Sequence, residues 1–296
     1  MSDPSRCSAA ARQRKEPLAG TAPVARRWLA IEHPGPWVKQ PLETPPLKGP
    51  VMASIDRYCK ENNAKALLIR RHRRSETEGP RDWYAVDTVR GTAVSGSWST
   101  TDDLLRASEA IGTRLNEGDE AAPPMLLVCS HATRDPCCAF RGRPVTAALE
   151  RVWGDEVWEC THLGGHRFAA TLLSLPDGAC YGGLDIGDAV KVVRAHREGA
   201  VSVRHLRGPT RWKPAQQAAV AWALARYGPA PLDAVVPGPP ERLHDRVVRL
   251  ELAGTDPVPE SVWVQVETED LPPAPLTCGG PPGAHVAHHV TEVRAP

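Results

Sequence analysis

The sequence predicts an α/β protein built in consecutive parts, and three observations carry that prediction. Short apolar runs of strand length alternate with longer segments of helical period, and Gly and Pro cluster between these segments. The tightest alternation, β-α-β-α-β-β-α, falls within about 75 residues in the middle of the chain. At 296 residues the chain also exceeds a usual single domain.

The first part, residues 1–19, is expected to be a disordered, solvated tail. Met1–Lys15 is rich in Ala, Arg and Ser and lacks the apolar stretch of a secretory signal, so a cytoplasmic location is expected. The eight cysteines then read as thiols, metal ligands or redox groups before disulfides.

Residues 20–121 are expected to form an N-terminal α+β unit. Arg27–Glu32 reads as a strand, ended by the breakers His33-Pro34-Gly35-Pro36, and Pro41 to Pro50 as a connection. A helix over Met52–Asn62, a buried strand over Ala66–Arg70 and a hairpin of Trp83–Asp87 with Gly91–Trp98 follow. Thr101-Asp102-Asp103 caps a helix with Leu104, Ile111 and Leu115 on one face, ending at Gly118, and Glu120–Pro124 is a linker.

Residues 122–200 carry the central alternation. Met125–Val128 is a buried strand ending on Cys129, Pro144–Val152 is helical, and Glu156–Cys160 is a strand. His166–Leu173 is expected to be helical, Ser174–Leu175 and Ala179–Gly182 to be strands around the turn Pro176-Asp177-Gly178, and Ile186–Arg197 to be an amphipathic helix. This is the order of a thioredoxin-like unit. Residues 201–296 form a C-terminal extension: a segment Val201–Leu206, a helix Pro214–Tyr227 stopped by Gly228-Pro229, and a strand pair Val247–Leu252 and Ser261–Glu267. The last 25 residues, rich in Gly, Pro and His, are expected to be irregular.

Composition excludes several function classes. Thirty-six basic and 35 acidic side chains leave a net charge of +1, unlike a protein that neutralises many phosphates. No apolar run approaches the ~20 residues that cross a bilayer, so neither nucleic acid nor membrane is an expected partner. With 24 Gly and 30 Pro the chain stays below the composition of a disordered protein. No P-loop and no G-x-G-x-x-G after a strand is present, so any reductase is a separate protein.

Four of the eight cysteines lie between Cys129 and Cys160. Cys129 is followed by Cys137-Cys138, and downstream stands His162-Leu-Gly-Gly-His166. Two thiolates at a strand end and two imidazoles at a strand-to-helix turn make a four-ligand set suited to zinc or to an iron–sulfur cluster. Spacing alone weighs metal binding evenly against ordinary packed residues.

At these residues the sequence resembles a known family. The stretches CSHATRDPCCAFRGRPVTAALE and VWECTHLGGHRFAATLLSLPDGACYGGLD, with GTAPVARRWLAIEHPGPW before them and LRGPTRWKPAQQAAVAWAL after them, are similar to the sucrase/ferredoxin-like family of thioredoxin-like [2Fe–2S] ferredoxins. The resemblance runs from about Gly20 to Tyr227. It implies a thioredoxin-like ferredoxin core and a [2Fe–2S] cluster held by Cys129, Cys138, His162 and His166. It favours Cys138 over its neighbour, whose role it leaves open, and it leaves His131 a lesser candidate. Arg134 and Asp135 are expected to brace the loop, by an ion pair between them.

Neutral imidazoles in place of two thiolates make such a cluster less negative and easier to reduce, and a solvent-facing ring nitrogen would couple proton to electron uptake. The implied function is a one-electron carrier serving a separate redox protein, donor or acceptor, rather than a stand-alone enzyme. A structural zinc module and a thiol oxidoreductase using Cys137 or Cys138 are the rivals. Nothing supports the glycosidase chemistry in the family's name, because Asp102-Asp103 is explained by the helix cap. Arg70-Arg71-His72-Arg73-Arg74 reads as a docking surface for an acidic partner or as a solvated loop. Cys278 with His285, His288 and His289 is a weak metal candidate, because a Gly/Pro-rich segment seldom holds rigid geometry.

Overall fold

The structure, a computed structural model, describes residues 6–72, 79–112 and 122–295. Its elements are α1 (Cys7–Gln13), β1 (Arg27–Glu32), α2 (Pro50–Glu61), β2 (Ala64–Arg70), β3 (Arg81–Asp87), β4 (Thr92–Trp98), α3 (Leu104–Gly112), β5 (Met125–Cys129), α4 (Pro136–Trp153) and β6 (Val157–Cys160). There follow β7 (Leu172–Leu175), β8 (Ala179–Tyr181), α5 (Ile186–Arg197), β9 (Leu206–Pro209), α6 (Pro214–Tyr227), β10 (Val235–Pro237), β11 (Glu241–His244), β12 (Val247–Gly254), β13 (Ser261–Pro275) and β14 (Pro282–Val293).

One mixed sheet of nine strands, β4-β3-β1-β2-β6-β5-β7-β8-β9, crosses the boundary expected near residue 121. Within it β5 and β6 are parallel, β7 is antiparallel to β5, and β8 is antiparallel to β7. The period of two sorts side chains between faces. Leu126 and Val128 of β5 join Val145 and Leu149 of α4 and Val192 of α5 in one core. Leu127 and Cys129 face the opposite side with Trp28, Leu67, Trp158 and Leu173. Helices α2 and α3 cover a third core through Met52, Ile55, Leu104 and Ile111, packed on Leu29, Ile31 and Leu68. A second sheet, β10-β12-β13-β14 with β11 beside β12, shares the first core through Leu250, Leu252 and Val264.

Several expectations are corrected. The region 1–19 is not wholly a tail, since Cys7–Gln13 is a helix with Cys7 and Ser8 buried. The end of the chain is not irregular: β13 and β14 form a long antiparallel hairpin, and the Gly279-Gly280-Pro281 cluster is confined to its turn. Val, Thr and His can all extend a ladder there, so composition misled. His166–Leu173 is not a helix but a single 3-10 turn, His166–Phe168, ahead of β7. The segment Val201–Leu206, to which the sequence assigns no form, holds a 3-10 turn over Val203–His205 that leads into β9 at Leu206. Helix α4 begins at Pro136, because Pro there occupies the first turn and Asp135 caps it. Leu115, Gly118, Arg73 and Arg74 lie outside the described residues. Among the described residues, no helix is long and apolar enough to cross a membrane.

The junction between the halves of the sheet is narrow. Strands β2 and β6 pair only at Ile69 with Cys160 and Arg70 with Glu159. Buried Glu159 reinforces it, accepting from Arg70 Nε and Nη2 at 2.9 and 2.8 Å and from Ser130 Oγ at 2.9 Å, with His72 Nδ1 at 2.8 Å. Arg71 stacks on Trp158 at 3.4 Å. The described residues of the basic run, Arg70, Arg71 and His72, are therefore tied into the fold.

Burial opposes ionisation of Glu159, but His72, Arg70 and Ser130 together outweigh it and hold the carboxyl below its usual range. A lowered native pKa stabilises fully above the unfolded value of about 4.3 and loses that contribution as pH falls through the native value. Glu159→Gln is expected to cost roughly 3–5 kcal/mol near neutrality, as for a broken buried ion pair. Urea midpoints of both proteins across pH 3–7 should converge in acid; a pH-independent gap would remove Glu159 from this role.

Candidate metal centre

Cys129 ends β5 and Cys138 lies in the first turn of α4, nine residues apart in sequence but brought together by direct helix–strand packing. Gly142, one turn further along α4, makes that approach possible: a Cβ there would stand 2.1 Å from the Cys129 carbonyl oxygen. Asp135 caps α4 by accepting the Cys137 N–H at 2.8 Å. His162 follows β6, whose parallel pairing sets Cys160 opposite Cys129 and so delivers the turn to the same sheet end.

Cys129 Sγ stands 4.0 Å and Cys138 Sγ 3.8 Å from His162 Nδ1. These three donor atoms lie within 4.8 Å of one another, close enough to hold a metal ion. His166 sits one ring away, its centroid 5.0 Å from that of His162. Its Nε2 is 3.7 Å from Asp135 Oδ2, and its Nδ1 is buried without a hydrogen-bond partner. A buried imidazole nitrogen left unpaired is costly, and a metal is one group that would satisfy it.

The His-x3-His turn depends on backbone conformations that favour glycine, with φ of +84° at Gly164 and +68° at Gly165. Fully buried Arg207 holds this turn. It donates to the Gly164 carbonyl at 3.0 Å, to Thr21 Oγ1 at 3.1 Å and to the Thr21 carbonyl, and contacts Cys180 Sγ at 3.6 Å. A Cβ on Gly165 would stand 2.5 Å from Arg207 Nη2.

Electrostatics prepare the donors. A hydrogen bond from Cys138 lowers the Cys129 thiol well below its usual range against burial, with His162 adding to the effect. Cys138, as the donor and itself buried, is correspondingly raised, so one proton is shared between the sulfurs. Burial lowers His166 and keeps its ring neutral, in the form that ligates, although Asp135 opposes the shift.

Other candidates are placed elsewhere. His131 Nε2 lies 2.9 Å from the Val38 carbonyl and its ring meets Trp37 edge-on, which pins the loop. Asp135 accepts the backbone N–H of Cys137 and Cys278 rather than pairing with Arg134, because capping the helix satisfies buried donors. His285 lies 3.7 Å from Glu16, while His288 faces Thr268 at 3.1 Å and His289 faces Glu269 at 2.6 Å. Cys278 therefore does not gather these histidines; it meets Cys137 and Cys7 instead. Half-exposed His162 opens onto a cleft of about 690 Å³ whose lining includes Lys39, Lys48, Met52, Asp56 and Arg134.

The sucrase/ferredoxin-like family model matches residues 18–208, nearly two-thirds of the chain and all four candidate ligands. The chain belongs to the sucrase/ferredoxin-like family. No curated protein and no solved structure matches it. In this sucrase/ferredoxin-like protein Cys129, Cys138, His162 and His166 all lie within the matched span, while Cys7 and Cys278 lie outside it. Sequence spacing missed Cys7 and Arg207 and gave Cys278 the wrong partners: Cys278 is 141 residues from Cys137 and 271 from Cys7, and no local pattern links them.

Proposed function

We propose that this protein is a one-electron carrier whose [2Fe–2S] cluster is held by Cys129, Cys138, His162 and His166. The observation that carries the reading is the convergence of two buried sulfurs on His162 Nδ1, with the unpaired Nδ1 of His166 in the adjacent ring. When bound, such a cluster supplies a one-electron couple at a potential above that of all-cysteine ligation.

The chain's own residues account for the rest. Cys129 and Cys138 give up one shared proton and present two sulfur donors. Asp135 faces His166 Nε2 and orients the ring so that Nδ1 is free to ligate. Arg207 places a buried positive charge beside the turn and favours the more negative state of the site. The strand order β6-β5-β7-β8, with its parallel first pair, supports a thioredoxin-like core. An acidic redox protein, donor or acceptor, would approach the half-exposed His162 from the cleft, where Lys39, Lys48 and Arg134 stand. A reducing, cytoplasmic setting suits the eight free cysteines.

A structural zinc site is the second reading, favoured by the mutual proximity of three donor atoms within 4.8 Å. Thiol exchange is less well supported, because both Cys137 and Cys138 are buried. Purification without oxygen followed by an absorption spectrum and iron and acid-labile sulfide assays tests the proposal. Visible charge-transfer bands with iron and sulfide in equal amounts are expected. A colourless protein with zinc bound to these residues would replace the cluster with the second reading.

A further inference from the structure

The vicinal pair Cys137-Cys138 points two ways. Cys138 faces Cys129 and His162, while Cys137 joins a second convergence at the other side of the α4 N-terminus. There, Cys137 Sγ lies 3.3 Å from Cys278 Sγ and 3.7 Å from Cys7 Sγ, and Cys278 Sγ lies 3.6 Å from Cys7 Sγ. The Asp135 carboxylate completes the group, with its oxygens 3.8 and 3.9 Å from Cys7 Sγ. Cys7, Cys137 and Asp135 are buried, and Cys278 is partly exposed in the β13–β14 turn.

We propose that Cys7, Cys137, Cys278 and Asp135 form a second metal site, which binds zinc as a structural clamp. Four ligands at the corners of a tetrahedron with zinc–sulfur bonds of about 2.3 Å stand roughly 3.8 Å apart. The observed separations already lie close to that edge length without any backbone movement. Three thiols favour a borderline-soft, redox-inert cation and a carboxylate is a fourth ligand it accepts, and a closed set of four is the mark of a structural rather than a catalytic zinc. Without an ion, three thiols in mutual contact are a poor answer to a buried carboxylate, because S–H is a weak donor.

The surroundings support charge at this point. Asp135 is already oriented by the backbone N–H groups of Cys137 at 2.8 Å and Cys278 at 2.9 Å. Ser8 Oγ donates to Cys137 Sγ at 3.2 Å and is itself held by Arg141 Nε at 2.8 Å. The positive end of the 18-residue helix α4 faces the cluster. Zinc binding would release the thiol protons to water and leave three thiolates and one carboxylate on the cation.

The clamp would join three distant stretches of chain: α1, the cap of α4 and the β13–β14 turn. Helix α1 then lies against the 3-10 turn that carries His166, and Arg12 Nη2 donates to the Leu184 carbonyl at 3.0 Å. Asp135 touches both sites, since its Oδ2 faces His166 Nε2 at 3.7 Å. Closing a loop between residues 7 and 278 makes metal binding a contribution to folding.

The test uses full-length protein prepared under reductant, with Zn²⁺ as the probe. A Cys129→Ser/Cys138→Ser background removes the sulfurs of the first site, so the result does not depend on what that site holds. About one zinc per chain is expected to survive gel filtration in this background. Adding Cys278→Ser should weaken zinc binding by more than about 100-fold, beyond the loss typical of an outer-shell partner. X-ray absorption at the zinc edge should show three sulfurs and one oxygen.

If the doubly substituted background fails to fold, Cys278→Ser in the otherwise unchanged chain decides the matter. One zinc should be lost while iron at the first site is retained. Zinc content indifferent to Cys278→Ser overturns the proposal. So does a chain alkylated at lysis that carries a Cys137–Cys278 disulfide and no zinc.

Discussion

Cys138→Ser is expected to strip iron and visible colour from the protein, whereas Cys137→Ser, one residue away, keeps both. The two sulfurs differ in direction rather than in burial. Cys138 lies 3.8 Å from His162 Nδ1 and shares a proton with Cys129. Cys137 lies 3.7 Å from Cys7 and 3.3 Å from Cys278, and its thiol is drawn down to about 5, chiefly because Cys7 donates to it and also through Ser8, against burial. Serine offers a hard, weakly acidic oxygen in place of a soft thiolate, so the affinity of a soft metal falls steeply. Iron and sulfide assays with a visible spectrum on both variants check this. Iron retained by Cys138→Ser and lost by Cys137→Ser would mean that the ligand is the other member of the pair.

Arg207→Ala should destabilise the fold by roughly 2–4 kcal/mol, the cost of leaving two or so buried acceptors unsatisfied, and lower iron content as well. The Gly164 and Thr21 carbonyls both lose their donor, and the residues tied together are distant in sequence: the segment ahead of β1, the His162–His166 turn and β9. Arg207→Lys keeps the charge but not the planar fork, and a single ammonium does not span the same acceptors. It should recover only part of the loss. Urea unfolding gives the stability, read from the midpoint with the slope unchanged. Metal analysis of the folded fraction separates a loosened turn from a lost fold. Full stability in Arg207→Ala would show that the turn holds itself.

The element pattern was legible where the causes are local. Ile186–Arg197 and Pro214–Tyr227 are helices at the expected bounds, because period, caps and stops coincide in the sequence. Arg27–Glu32 is a strand as expected, since a strand buried on both faces reads as an apolar run between breakers. The expectations failed where tertiary packing overrode local composition. Residues 7–13 are too few to hold a helix by themselves, yet they are helical with Cys7, Ser8 and Ala11 buried and packed beside the 3-10 turn at His166. The His- and Pro-bearing end of the chain pairs as a long hairpin because neighbouring strands supply its hydrogen bonds.

By itself the sequence determined the family, the α/β class and the two motifs that carry Cys129, Cys138, His162 and His166, because ligand spacing and strand–helix alternation are short-range properties. Only the tertiary structure decided that Arg207 holds the histidine turn, that Cys137 turns away from Cys138, and that Cys7 and Cys278 meet it. Those contacts join residues more than 40, and up to 271, positions apart. Such pairs are selected by the packing of the whole chain, through loop closure and burial, and leave no periodic trace in the residues between them.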